Sequence, residues 1–277
     1  MNTNEAVKPA ELVHRVCPLC GRDNKDERIL HGNISWNLKK CGQCQIVYIE
    51  DIPQYHDLQE SFSWRQSWRK EKKRRQEKEK ALHEIQDVIK SNIKKLKKDK
   101  LTYLVHSFIK SGPVLDVGCG LGKAISCCSR NIIPHGIEIE PNAAFKSNEL
   151  FFKRGGRVVN APAIEGIDKF KNNYFPGVVM NAYLEHESHP LAVLRKVRVK
   201  MKKNGNLIIK VPNYGCINRY FRGMKWCGYR FPDHVNYFTP STLKKIITTS
   251  GFSIEKFGFF DRFPTNDNMW MVASPSN

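Results

Sequence analysis

Residues 113–122, PVLDVGCGLG, constrain the fold more than any other stretch of the chain. An apolar run ends on Asp116 and then breaks into Gly118, Gly120 and Gly122, just before a helix-like segment, GKAISCCSR. Glycine permits a sharp turn and leaves no Cβ in the way of a ligand laid against the main chain. In an open α/β sheet, such a strand-to-helix turn faces the crevice at the strand ends, where a helix N-terminus offers free N–H groups.

Beyond this loop the chain repeats the alternation. IIPHGIEIE reads as a second strand and PNAAFKSNELFF as a second helix; RVVNA, GVVMNA, the helix LAVLRKVRVKM and GNLIIKV continue the series. Short apolar runs separated by helices predict a parallel, doubly wound α/β sheet. FSIEKFGFF and NMWMVA close the chain with no helix between them, which predicts an antiparallel pair at one edge.

The glycine spacing discriminates among ligands. It is G-x-G-x-G, with Lys123 where a dinucleotide fingerprint needs its third glycine. Ala124 follows Lys123, so the phosphate loop ending G-K-[S/T] is absent too. Glu138 ends the second strand, 20 residues after Gly118, where a carboxylate can accept both hydroxyls of a ribose. Loop and acid together describe a site for a nucleoside without a phosphate cradle.

These residues resemble the class I S-adenosylmethionine-dependent methyltransferases, in their small-molecule branch. VLDVGCGLG is similar to the first motif of that family, and GIEIEP to its acidic strand end. Leu184-Glu185-His186 with Pro190 matches the L-E-H-x-x-x-P that often follows the fourth strand, and RFPDHVNYFTPSTLKKIITTSGF matches a later D-H-x-x-x-F-T segment. The resemblance spans residues 113–275 and implies a Rossmann-like, seven-stranded sheet with S-adenosylmethionine as cofactor. It further implies that Gly118, Gly120 and Gly122 border the methionine part and that Asp116 orients its ammonium. Glu138 would hold the ribose, Ile139 would lie against the adenine, and Asn181 would line the pocket. One position departs: the acid that usually opens the fourth strand is Pro176 here.

Two further cysteine pairs stand apart from this domain. Cys17-Pro-Leu-Cys20 and Cys41-Gly-Gln-Cys44 have the spacing of a four-cysteine structural zinc site, with Gly21 and Gly42 expected to supply the turns. Redox-active or free thiols are the alternative. Nine cysteines without an apolar N-terminal leader argue against a disulfide framework and for a cytoplasmic protein, and no apolar run is long enough to span a membrane.

Methyl transfer from a sulfonium requires mainly alignment and sometimes removal of a proton. Glu185, His186 and His234 are the candidate catalytic residues, with a hydrogen-bonded structural role as the alternative for each histidine. Residues 213–240 form an expected substrate lid, aromatic and basic. Its aromatics suit either an anionic, sugar-like acceptor or a core of the lid's own.

The division expected is a zinc-ribbon-like segment at 1–58, a basic helical linker at 59–110 and the methyltransferase domain at 111–277. Charge follows it: of a net +19, residues 65–100 hold 15 Lys/Arg against 6 Asp/Glu. That run is either a solvated helix or a surface for phosphates. The favoured reading is methylation of a small molecule, at oxygen. An RNA methyltransferase that uses the ribbon and basic helix is the second reading, and a non-catalytic binding module the third. The oligomeric state is left open.

Overall fold

The computed structural model describes residues 12–33, 36–53, 100–231 and 233–276. Of the basic helical linker expected at 59–110, residues 59–99 therefore lie outside the described residues.

The N-terminal segment carries strands β1 (Leu12–His14), β2 (Ile29–Asn33), β3 (Trp36–Lys40), β4 (Val47–Ile49) and β5 (Asp51–Pro53). Helix α1 (Lys100–Phe108) then leads into β6 (Gly112–Val117), α2 (Lys123–Ser126), β7 (Ile132–Glu138), α3 (Pro141–Phe152) and β8 (Val158–Asn160). Next come α4 (Ala163–Gly166), β9 (Phe175–Asn181), α5 (Pro190–Lys200) and β10 (Met201–Pro212). The chain closes with α6 (Ile217–Arg222), β11 (Asn236–Tyr237), α7 (Pro240–Thr249), β12 (Phe252–Lys256) and β13 (Asn268–Pro275).

Seven strands make the central sheet, in the order β12-β13-β10-β9-β6-β7-β8. From β10 to β8 every neighbour is parallel, whereas β13 runs antiparallel to both β10 and β12. The fold is the expected Rossmann-like one, and the reversed strand sits second from the edge. Alternate residues of the central strands feed opposite faces. Leu115, Val117, Val178, Met180, Leu207 and Ile209 join one core; Val114, Val179 and Ile208 join the other, beneath α1. Leu101, Leu104 and Val105 of α1 are buried there, as their spacing predicts. Pro176 does not interrupt β9, being its second residue.

Helix starts are locally encoded. Glu140 caps α3 by accepting from Asn142 N and Ala143 N, with Pro141 at the first position. Thr239 and Thr242 form a capping box at α7. The α3 cap directly follows the end of β7, where Glu140 N donates to Glu138.

The ribbon does not stand apart. β11, from the expected lid, pairs antiparallel with β4 and completes a four-stranded sheet in the order β11-β4-β3-β2. Cys17, Cys41, Cys44, Ile46 and Tyr48 share one buried cluster with the sheet residues Leu115 and Met180. No helix among the described residues is long and apolar enough to cross a membrane.

Candidate active site

The glycine loop follows β6 directly. Gly118 and Gly120 take left-handed backbone angles, φ +72° and +54°. A Cβ on Gly118 would meet the Tyr183 ring at 2.6 Å, so this glycine makes room for a neighbouring loop. A Cβ on Gly120 would meet nothing within 4 Å. The space beside Gly120 is what a ligand approaching the backbone needs.

Glu138, at the end of β7, reaches across to this loop. Its Oε2 accepts from Gly120 N at 2.7 Å and its Oε1 from Glu140 N at 2.9 Å. Asn160, ending β8, donates its side-chain amide to the carbonyls of Glu138 and Ile139 at 2.8 and 3.0 Å. The strand ends around Ile139 are thereby tied together. Asp116 is 2% exposed and its Oδ2 has no hydrogen-bond partner. Burial, with the nearby Glu138 charge, pushes the Asp116 carboxyl up to about 8. Burial raises Glu138 as well, against the pull of its backbone N–H bonds. Two desolvated acids beside an open glycine make a site that favours a cation.

Asn181 ends β9 with a buried, unpartnered Oδ1. Ala182 follows at φ +57°, a strained angle for a residue with a side chain, and turns the chain into the Leu184-Glu185-His186 loop. The Tyr183 hydroxyl donates to Glu187, fixing the ring that lies over Gly118.

The three catalytic candidates converge. A donor atom from each of Glu185, His186 and His234 lies within 4.8 Å of the other two. The two imidazoles meet edge to face with centroids 4.6 Å apart. His186 Nδ1 faces Asp233 O at 2.8 Å and Asp233 Oδ1 at 3.4 Å, and Arg230 holds Asp233 at 2.7 Å. His234 Nδ1 faces Gly228 O at 2.8 Å. Burial opposes charge on His186, but the Asp233 carboxylate outweighs it and the net shift is upward. His234 goes well down, through burial and then the neighbouring His186 charge. Glu185 is raised by burial.

Sequence reading missed several residues here. Asn236 donates its amide to Leu184 O and Glu187 O at 3.0 and 2.7 Å, and Val235 N and Asn236 N both donate to Glu185 O. Arg15, from the ribbon, reaches Asn236 Oδ1 at 2.6 Å. Asp233 had a signal, standing beside a candidate histidine; Arg15 had none.

The lid aromatics are mostly core. Tyr214, Trp226, Tyr229 and Tyr237 are buried against Leu38, Val47, Ile49 and Ile52 of the ribbon. Tyr220 and Phe221 stay exposed. Arg219 stacks on Tyr214 and Tyr220, at 4.1 and 4.2 Å from the ring centres.

The paired cysteines also converge. Cys17 Sγ and Cys44 Sγ are 3.3 Å apart, Cys20 Sγ and Cys41 Sγ 3.5 Å. A tetrahedral zinc with ~2.3 Å bonds holds its sulfurs about 3.8 Å apart, so the set fits that ion after a small expansion. Each knuckle closes with a backbone bond, Gly21 N to Cys17 O and Gln45 N to Cys41 O. The left-handed positions are Gly21, as expected, and Gln45 in place of Gly42. The residue after the second cysteine makes the turn in both knuckles. Gly42 instead lies against the Glu27 side chain.

Residues 82–256 match the family described as methyltransferase domain. No curated protein matches the chain in sequence. Among solved structures, an S-adenosylmethionine-dependent methyltransferase from Archaeoglobus fulgidus is 21% identical, with 63% of this chain and 91% of that chain covered and a TM-score of 0.51. A protein from Pyrococcus horikoshii OT3 is 18% identical over 64% of this chain and 88% of its own, with a TM-score of 0.50. The small RNA methyltransferase HEN1 is 15% identical over 64% of this chain and 25% of its own, with a TM-score of 0.51. At these identities the likeness is one of fold.

Proposed function

The chain belongs to the methyltransferase-domain family, as a class I S-adenosylmethionine-dependent methyltransferase, and on that premise we propose that it methylates an oxygen of a small, anionic or sugar-like acceptor. When bound, S-adenosylmethionine supplies an activated methyl group. Asp116 holds its ammonium, Glu138 its ribose hydroxyls, and Gly118, Gly120 and Gly122 border the methionine part. Ile139 covers the adenine and Asn181 closes the pocket. The observation that carries the cofactor part of this reading is the buried Asp116 carboxyl, unpartnered at Oδ2, beside Glu138 and the open face of Gly120.

Glu185, His186 and His234 receive the acceptor hydroxyl and lower the cost of losing its proton. Arg219, stacked on the exposed Tyr220, supplies positive charge on the acceptor side. Residues 1–58 act as a zinc-held brace, 59–110 as a basic linker, and 111–277 as the enzyme. The net charge of +19 favours RNA as a second acceptor class.

The test is calorimetric titration with S-adenosylmethionine and its demethylated product, in the wild type and in Glu138→Ala. Each lost charged hydrogen bond is worth about 1.5–3 kcal/mol, so ~100-fold weaker binding is expected. Equal affinity in the two proteins would remove Glu138 from the cofactor site. Methylation of nucleotide sugars, against RNA, then separates the acceptor classes.

A further inference from the structure

We infer that Glu185, His186 and His234 form a binding site for a divalent transition-metal cation, placed to hold an oxygen of the methyl acceptor. The acceptor's part in this rests on the methyltransferase reading; the cation's does not.

The donor set is nearly closed already. Donors on one cation with ~2.1 Å bonds lie at most about 4.2 Å apart, and the three side chains here offer atoms within 4.8 Å of one another. Small rotamer adjustments bring them together. The backbone that carries them is held in place, because Glu185 O accepts from both Val235 N and Asn236 N.

Both imidazoles are oriented as metal ligands are. Metal-binding histidines present one ring nitrogen and donate the other N–H to a carbonyl or carboxylate. His234 Nδ1 is engaged by Gly228 O at 2.8 Å, and His186 Nδ1 by Asp233 O at 2.8 Å. With a proton on each Nδ1, each Nε2 presents a lone pair. The Asp233 carboxylate stands 3.4 Å from His186 Nδ1 and is itself anchored by Arg230. This is a carboxylate–histidine pair of the kind that raises ligand basicity.

The second observation is a pair of buried atoms left without partners. Glu185 Oε2 and His186 Nε2 are buried with no hydrogen bond to either, and Glu185 is 1% exposed. A shared cation satisfies both at once. Two imidazoles and one carboxylate suit zinc, manganese, iron or cobalt better than magnesium or calcium. Three protein ligands leave positions open for an acceptor oxygen, which the four-cysteine set does not. The alternative is a metal-free pair, His186 charged against Asp233.

The test uses Mn²⁺, which thiolate sites select against. Electron paramagnetic resonance of the full-length, zinc-loaded protein should show one Mn²⁺ held per chain. His234→Gln and Glu185→Gln should each weaken it at least tenfold, with circular dichroism reporting that the variants fold. Spin-echo modulation from two imidazole nitrogens places the bound Mn²⁺ at the histidine pair even if a variant fails to fold, whereas one nitrogen or none would put it elsewhere, as at His14, Asp23 and Glu50, and overturn the site. No Mn²⁺ bound by folded wild type, and no Co²⁺ spectrum beyond that of four thiolates, would overturn the site. Binding of S-adenosylmethionine without Mn²⁺ would leave the methyltransferase reading intact and sink the cation. Mn²⁺ binding without S-adenosylmethionine would support the cation and remove its acceptor.

Discussion

Arg15 Nη2 donates to Asn236 Oδ1 at 2.6 Å, joining residues 221 positions apart. Asn236 in turn holds the carbonyls of Leu184 and Glu187 on either side of Glu185 and His186. A buried guanidinium from the ribbon therefore braces the loop that carries two of the three candidate catalytic side chains. Arg15→Ala should lower turnover about tenfold and leave cofactor affinity within twofold, because the glycine loop is not touched. Loss of a charged, buried hydrogen bond should also cost about 1.5–3 kcal/mol of stability. Steady-state kinetics beside calorimetry checks this; unchanged turnover would free the loop from the ribbon.

Cofactor binding should depend on pH through Asp116. Its carboxyl lies at about 8 in the free protein, so near neutrality it holds a proton that a cationic ligand must displace. Affinity should rise by up to tenfold per pH unit from pH 6 and peak near 8, where the ligand's own α-amino group (about 7.7–8.0) begins to deprotonate. The stability sign is the reverse of the usual aspartate. The folded state binds the proton more tightly than the unfolded chain, so free-protein stability falls as pH rises from about 4 to 8. Asp116→Asn should flatten both profiles in calorimetry and thermal melts.

The two loop glycines should fail differently. In Gly118→Ala the new Cβ meets the Tyr183 ring at 2.6 Å, and that ring is anchored through Glu187. With the left-handed strain of about 1–2 kcal/mol added, a large drop in melting temperature is expected. Gly120→Ala bears a comparable strain but meets open space. It should melt only a few degrees lower and lose cofactor affinity out of proportion. If both variants bound cofactor equally well, the space beside Gly120 would not be the cofactor's.

Chelating the zinc proposed for the four cysteines should destabilise the whole protein in one step. Cys17, Cys41 and Cys44 share a buried cluster with the central sheet, and β11 ties lid to ribbon. Differential scanning calorimetry before and after chelation should show a single transition moving to lower temperature. Two separate transitions, one of them unaffected, would make the ribbon an independent unit.

Local features were legible in the sequence. The alternation of apolar strands and helices is written in windows of about ten residues, and steric and periodic rules act within such windows. So VLDVGCGLG gave its strand and turn, and Leu101, Leu104 and Val105 gave the buried face of α1. Each C-x-x-C pair specified its own knuckle, because a knuckle is a local turn, and the spacing of the two pairs predicted that they would meet, as Cys17 with Cys44 and Cys20 with Cys41 do. Even so, the turn residue in the second knuckle is Gln45, set by its place after Cys44 rather than by a glycine's freedom.

Long-range partners were not legible. That Tyr214, Trp226 and Tyr229 would pack on Leu38 and Ile49 depends on which apolar surfaces the folded sheet brings together. The same holds for His186 against His234, 48 residues apart in sequence and 4.6 Å apart in space. Burial then decides chemistry that composition cannot: Asp116 and Glu185 are ordinary acids in the sequence, and the loss of water around them, joined at Asp116 by the Glu138 charge, pushes their carboxyls upward. The order of residues was enough to specify the sheet, the glycine loop and the four thiols. That the ribbon touches the loop of the candidate site emerged only on folding, because it depends on contacts between segments far apart in the chain, such as Arg15 with Asn236.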